Sequence, residues 1–280
     1  MQRITTAKEI LKINRDLRNN GARIGFVPTM GALHNGHLSL VKRAKSENDA
    51  VVCSIFVNPT QFNEPTDFQR YPRNLEKDAE LLESVECDYL FAPTASEIYP
   101  IPDQTHYELG SVSEELEGKH RPGHFNGVAS VVKRLFEIVK PDRAYFGLKD
   151  YQQYLVIKNL VENYNLPVEV IGCPIIRSEE GLAMSSRNEL LGKTEAEHAL
   201  KLNESLKRAQ KLIEEGKPTQ EVESTISKDL SSQGVDLEYF EIRNAGDLSK
   251  PDNSSQSLVA LVAARFGKIR LIDNMNLTSN

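Results

Sequence analysis

The sequence predicts an α/β fold, with a doubly wound, parallel-sheet (Rossmann-like) N-terminal domain over residues 1–175 and a smaller α+β domain over 176–280. Three observations carry this. Short apolar runs alternate with amphipathic helical patterns through the first part of the chain, the rhythm of βαβ units. One run, AVVCSIFV from Ala50 to Val57, is apolar at nearly every position, as a strand covered on both faces must be. After Ile176 the rhythm gives way to a long amphipathic helix and then to consecutive strand-like runs.

Each element follows from local chemistry. Thr6 and Glu9 have capping-box spacing ahead of Ile10, Ile13 and Leu17, and Gly21 is a suitable stop. RIGFVP (Arg23 to Pro28) reads as a strand, Leu38 to Ala44 as a helix and Ala50 to Val57 as the next strand. Leu75, Ala79 and Leu82 mark a helix, and YLFAP (Tyr89 to Pro93) a strand. Val128, Val131, Val132, Leu135, Ile138 and Val139 keep helical spacing, and Arg143 to Gly147 forms a strand. Asp150 is placed to cap a helix running to about Tyr164, and VEVIGCPI (Val168 to Ile175) is the last strand of this domain. In the second part, Thr194 and Glu197 repeat the capping-box spacing before Ala199, Leu202, Leu206, Ala209 and Ile213. Gly216 ends that helix and Pro218 opens another. Val235 to Arg243, Ser257 to Phe266 and Lys268 to Asn274 read as strands, the last two paired antiparallel through Gly267.

Composition narrows the function classes. With 34 basic and 40 acidic residues the net charge is −6, which argues against general nucleic-acid or anionic-membrane binding while leaving room for a local anion site. Cys53, Cys87 and Cys173 are odd in number and lack Cys-x-x-Cys spacing, so they read as thiols of a reducing compartment, here the cytoplasm. The N-terminal residues alternate in charge and do not form a signal peptide, and no run is long enough to span a bilayer.

Three clusters carry chemistry. PTMGALHNGH (Pro28 to His37) leaves a strand and opens a helix, where backbone N–H groups and the helix dipole favour phosphate. Gly31 and Gly36 match the first half of a P-loop, but His37 and Leu38 stand where Lys and Ser or Thr are required, which excludes that motif. His34 and His37, three apart, share a face. They are either phosphate-facing imidazoles or a metal or surface pair. Next, YFGLKDYQQ (Tyr145 to Gln153) places Lys149 and Asp150 at the end of a strand, as ligand groups or as a loop lysine beside a helix cap. The third, GLAMSSRNEL (Gly181 to Leu190), offers the Ser185 and Ser186 hydroxyls and the Arg187 guanidinium to phosphate oxygens, or is a polar interdomain loop.

Together these clusters resemble the pantoate–β-alanine ligases (pantothenate synthetases) of the HIGH-motif nucleotidyltransferase superfamily. PTMGALHNGH is similar to the HIGH-type signature and IFVNPTQF (Ile55 to Phe62) to the pantoate-binding strand end. RPGHFNGV (Arg121 to Val128), FGLKDYQQ and MSSRN are further family-like blocks, the last in the place of a KMSKS loop.

The resemblance implies ATP-dependent condensation of (R)-pantoate with β-alanine through a pantoyl-adenylate, giving pantothenate, AMP and diphosphate with Mg²⁺. His34, His37, Lys149 and Arg187 are then expected to be catalytic, with His37 the proton donor. ATP is expected at Met30, Gly31, Ala32, Leu33, His34, Asn35, Gly36 and His37, at Gly147, Leu148, Lys149 and Asp150, at Ile176, and at Met184, Ser185, Ser186 and Arg187. Gln61, Gln153 and Asn58 are expected at the small-acid substrate, Asp78 at Mg²⁺, and Tyr71 in the pocket wall or in plain packing. His120 and His124 are expected as loop residues near the substrate. Asn35 and Leu148 depart from the family pattern, where acidic and Glu or Gln residues are common. A homodimer formed through the N-terminal domains is also implied. Two competing readings are another HIGH-type adenylyltransferase acting on a small acid and a non-catalytic nucleotide-binding module. The paired glutamines oppose the first; the two histidines, Lys149 and Arg187 oppose the second.

Overall fold

The computed structural model describes residues 1–62, 68–69, 71–101, 103–252 and 255–277. Its backbone divides into two compact units: Met1–Leu148 with Gln152–Pro174, and Lys149–Tyr151 with Ile175–Asn280.

The first unit is a six-stranded sheet, β1 (Gln2–Ile4), β2 (Ile24–Thr29), β3 (Ala50–Ile55), β4 (Tyr89–Phe91), β5 (Arg143–Gly147) and β6 (Glu169–Cys173). The order is β1-β4-β3-β2-β5-β6, and every pairing is parallel. Residues 50–54 of β3 are all buried, which accounts for their lack of polar alternation. The edge strand β1 escaped the sequence reading because two of its three side chains are exposed and only Ile4 is buried. Helices α1 (Ala7–Asn19), α2 (Asn35–Glu47), α3 (Leu75–Glu83), α4 (His124–Val139) and α5 (Tyr151–Asn163) accompany the sheet. Leu38, Leu40, Val41 and Ala44 of α2, with Ala79 and Leu82 of α3, pack on Val27, Val51, Cys53 and Leu90. Phe136 of α4 meets Phe26 edge-on, with ring centres 6.3 Å apart.

The expected first cap is present: Thr6 Oγ1 accepts from the Glu9 N–H at 3.3 Å. Asp150, expected as a cap, instead closes a short 3-10 turn, Leu148–Asp150, that leads into α5.

The second unit is a three-stranded antiparallel sheet, β7 (Asp236–Asn244), β8 (Leu258–Phe266) and β9 (Ile269–Asn276), ordered β7-β8-β9. Gly267, at φ +58°, makes the tight β8–β9 connection. Helices α6 (Lys193–Glu214) and α7 (Thr219–Ser232) share its core through Leu202, Leu206, Val222 and Ile226. Helix α6 starts earlier than the Thr194–Glu197 spacing implies. Gly192 is the cap residue, its N–H donates to Glu195 Oε2 at 2.7 Å, and Thr194 falls inside the first turn. Lys149–Tyr151 joins this unit through two bonds that no local pattern reveals: Asn274 Nδ2 donates to the Lys149 carbonyl, and the Tyr151 hydroxyl donates to the Ala245 carbonyl, both at 2.8 Å. Among the described residues no helix is long and apolar enough to cross a membrane. All three cysteines are buried free thiols.

Candidate active site

The sheet order puts β3, β2 and β5 side by side, and the chain passes from β2 to β3 on one side while β5 lies on the other. Such a reversal leaves a crevice at the carboxyl ends of the strands, where doubly wound sheets bind ligands. The segments that follow these three strands carry the expected site residues of the first unit.

After β2, Thr29 Oγ1 donates to the Ser54 carbonyl at 2.7 Å and accepts the Gly31 N–H at 3.2 Å. Gly31 sits at φ +79°, and a Cβ there would lie 2.8 Å from Asp78 Oδ2, so glycine is required on both counts. Asp78, 2% exposed, then accepts the Ala32 N–H at 2.9 Å and the Leu33 N–H at 2.8 Å, one on each oxygen. Each oxygen thus accepts one backbone N–H and keeps a further lone pair, and the side chain serves as the anchor of the turn. No group of three or more His, Cys, Asp or Glu able to hold a metal occurs among the described residues.

His34 is the cap of α2, in extended conformation, and His37 lies one turn in. The Gly36 N–H donates to His34 Nδ1 at 3.1 Å, and the His34 N–H reaches His37 Nδ1 at 3.4 Å. The ring centres are 4.1 Å apart. A nitrogen that accepts an N–H cannot carry a proton, so each neutral ring has its proton on Nε2. Helical spacing puts the two rings on one face, and capping gives the pair its organisation. Met30 and Ala32 flank the turn half-buried, Leu33 is buried in the core, and Asn35 and Gly36 form the first turn of α2.

After β3, Asn58 caps the 3-10 turn Pro59–Gln61. Asn58 is fully buried, and its Nδ2 donates to the Gly127 carbonyl at 3.1 Å and to Thr60 Oγ1 at 2.9 Å. Its Oδ1 receives the Thr60 N–H and the Tyr99 hydroxyl, each at 3.4 Å. The Asn58 amide thus scaffolds the turn. Gly127 lets α4 approach, since a Cβ there would stand 2.4 Å from the Thr60 carbonyl.

Gln61, 8% exposed, directs Nε2 to Met30 Sδ at 2.7 Å. Its own carbonyl accepts from His124 Nδ1 at 2.8 Å and Arg121 Nη2 at 3.4 Å. Arg121 Nη1 also lies 3.1 Å from His124 Nε2, and a guanidinium can only donate, so the His124 proton is on Nδ1. Arg121, from the RPGHFNGV block, and His124 both hold the Gln61 main chain, and His124, expected in a loop, is the first residue of α4. Tyr71 is buried edge-on to Phe62, with ring centres 5.7 Å apart.

After β5, Gly147 ends the strand and Leu148 follows half-buried. The two glutamines at the head of α5 divide their work. Gln152 is 3% exposed and bonds Glu117 N, Val112 O and Glu115 O, holding the 112–117 loop. Gln153 is half-buried, and no side-chain hydrogen bond ties it among the described residues.

In the second unit, Lys149 Nζ lies 3.7 Å from Asp150 Oδ1, with the lysine side chain 18% exposed. The segment from Ile176 to Arg187 is a folded hairpin. The Met184 N–H donates to the Ile176 carbonyl at 2.9 Å, and Arg177 bridges Ala183. Arg177 makes a two-pronged ion pair with Asp273, at 2.6 and 2.9 Å, and Asp273 is 4% exposed. Neither residue was singled out from the sequence. Beyond this brace, Ser185 caps the turn Ser186–Leu190, with Oγ accepting the Arg187 N–H at 3.3 Å. Met184, Ser185, Ser186 and Arg187 are all half-buried.

Comparison with known proteins gives a consistent answer. The model of the family described as pantoate-beta-alanine ligase matches residues 2–276. Pantothenate synthetase of Pseudothermotoga lettingae is 50% identical over 268 residues, 95% of each chain, and that of Fervidobacterium nodosum is 45% identical over 276 residues, 98% of this chain and 99% of its own. The crystal structure of pantothenate synthetase from Thermus thermophilus superposes with a TM-score of 0.93 at 40% identity, covering all of both chains. Pantoate-beta-alanine ligase from Francisella tularensis, solved with beta-gamma ATP and beta-alanine, gives 0.84 at 40% identity, covering 100% of this chain and 99% of that one. Matched over its whole length at these identities, the chain belongs to the pantoate-beta-alanine ligase family and is a ligase.

Proposed function

We propose that this chain joins (R)-pantoate to β-alanine by way of a pantoyl-adenylate, releasing diphosphate and then AMP. The observation that carries this reading is the imidazole pair at the head of α2, each ring oriented by a backbone N–H on Nδ1 so that its proton is on Nε2. Attack of a carboxylate on the α-phosphorus needs positioning and charge neutralisation, with little covalent help. His34 and His37 meet the developing phosphate charge as preorganised donors, and Lys149 and Arg187 add fixed positive charge. His37 is the donor placed within the helix, where the dipole adds to its effect.

ATP is assigned to Met30–His37, Gly147–Asp150, Ile176 and Met184–Arg187. Gln61 and Gln153 are assigned to pantoate, whose hydroxyls suit an amide that both donates and accepts. Magnesium would supply charge neutralisation to the triphosphate, and Asp78, which anchors the turn through one lone pair of each oxygen, is assigned to it through another. A cation borne mainly by substrate oxygens fits a protein that offers no dedicated carboxylate cage among its described residues. Three buried thiols fit a cytoplasmic enzyme. A homodimer through the first unit is carried over from the family resemblance, and sedimentation would test it.

The test is direct. Incubation with ATP, pantoate and β-alanine should give AMP and pantothenate. Labelled diphosphate should enter ATP with pantoate present and β-alanine absent. Product without that exchange would overturn the free adenylate and leave the overall reaction standing.

A further inference from the structure

Behind the Pro59–Gln61 turn runs a line of polar groups that the reaction itself does not require. Asp103 accepts three bonds: Ser130 Oγ at 2.6 Å, the Tyr107 hydroxyl at 2.8 Å and the Thr105 N–H at 2.9 Å. Ser130 Oγ is also 3.2 Å from the Tyr99 hydroxyl, which in turn reaches Asn58 Oδ1 at 3.4 Å. Ser130 and Asn58 are buried, at 5% and 0% exposure. Plain packing would be served as well by apolar side chains here, because a buried polar line costs desolvation at every member and returns little net stability.

What such a line does is fix direction. A carboxylate can only accept, so it draws the serine proton. The tyrosine proton then spans Ser130 Oγ at 3.2 Å and Asn58 Oδ1 at 3.4 Å as a three-centre bond, the serine oxygen anchoring the hydroxyl that faces the Asn58 amide. The asparagine amide has two orientations of nearly equal shape, and the Gly127 carbonyl, which can only accept, selects the one with Nδ2 toward α4. Tyr99 rewards that same orientation from the opposite side. Ionisation states agree with this geometry. Burial alone would raise the Asp103 carboxyl, but its donors Ser130, Thr105 and Tyr107 hold it well below the usual range, while burial pushes the Tyr99 hydroxyl up and keeps it a donor.

We propose that Asp103, Ser130 and Tyr99 are positioning residues that lock the Asn58 amide and thereby set the Pro59–Gln61 turn, governing how well the enzyme holds its hydroxy-acid substrate. The inference rests on the assignment of Gln61 to pantoate. The line runs from a loop at 103–107 through α4 to the turn after β3, and every member belongs to the first unit.

The experiment compares Tyr99→Phe, Ser130→Ala and Gln61→Ala with the wild-type chain, reading KM for pantoate, KM for ATP, kcat and melting temperature. Loss of one such bond corresponds to about a two- to tenfold change. Tyr99→Phe should raise KM for pantoate by about that factor while KM for ATP stays within about twofold. Ser130→Ala should do the same, and the double variant should be no worse than the poorer single, because both cut one line. A folded Tyr99→Phe enzyme with unchanged KM for pantoate, or one whose two KM values rise together, overturns the proposal. Gln61→Ala separates the two readings. If it raises KM for pantoate and Tyr99→Phe does not, the positioning line is wrong and the Gln61 assignment stands. If Gln61→Ala leaves KM unchanged, the assignment fails and the proposal falls with it.

Discussion

Two buried aspartates brace the two segments that carry the expected phosphate-facing groups, and they do so by opposite chemistry. Asp78 sits under the turn that bears His34 and His37 and is matched by two backbone N–H groups. Asp273 sits under the hairpin that leads to Ser185, Ser186 and Arg187 and is matched by a guanidinium in a two-pronged pair, with the Asn274 N–H as a third donor. The first arrangement fixes main chain directly, so it suits a turn whose own backbone must adopt φ +79° at Gly31 and φ +50° at Ala32. The second fixes a side chain that in turn holds the hairpin, with Arg177 Nη1 also donating to the Gly181 carbonyl at 3.2 Å. A neutral-donor brace should fail gradually when weakened. An ion-pair brace should fail sharply when halved, because it strands a buried charge.

Arg177→Ala therefore should give the largest loss of stability, about 3–5 kcal/mol by chemical denaturation, since Asp273 would remain buried without its partner. Removing both partners together, as Arg177→Met with Asp273→Leu, should recover much of that loss. Failure to recover would mean that the brace acts through shape and not through charge.

The His37→Ala chain should melt close to the wild type and lose about 10²- to 10³-fold in kcat, the scale for one preorganised donor at a developing oxyanion. Wild-type turnover would remove His37 from the reaction, and a collapsed melting temperature would make its capping bond the larger role.

Asp78→Asn keeps one acceptor but turns an NH₂ group toward a backbone N–H. About 1–3 kcal/mol should be lost, with turnover falling in the same variant because the turn beneath the histidines loosens. A stability loss as large as that of Arg177→Ala would erase the distinction between the two braces.

The smallest effect is one of pH and sharpens the comparison with a third carboxylate, Asp103, which like Asp78 is held by neutral donors alone. Its native pKa is lowered, so the unfolded state takes up a proton first. Its contribution is complete above the ordinary aspartate value of ~3.9 and is lost as pH falls through the lowered native value. The melting-temperature gap between the wild type and Asp103→Asn should accordingly be constant from pH 7 to about 5 and narrow below about 4. A gap that widens on acidification would mean that Asp103 is not held as the carboxylate.

Sequence alone determined the framework, because the patterns behind it are local. Apolar runs, helical spacing, the Thr6 cap and the Gly267 connection are each decided within a few residues, and the structure repeats them. The signature blocks were legible for the same reason, since a turn that must take a positive φ beside a helix start leaves its glycines and capping side chains in one short stretch. Tertiary structure decided what each polar side chain is for. Asn58 and Gln61 lie three residues apart with similar chemistry, yet one side-chain amide is spent on Gly127, Thr60 and Tyr99 while the other turns its Nε2 to Met30 Sδ. Gln152 and Gln153 are adjacent, and only the first is tied into the 112–117 loop. Asp78 has the composition of a cation ligand and the partners of a backbone anchor, and those partners lie more than forty residues earlier in the chain. A hydrogen bond is settled by which groups meet in three dimensions, and a one-dimensional pattern holds no record of the meeting.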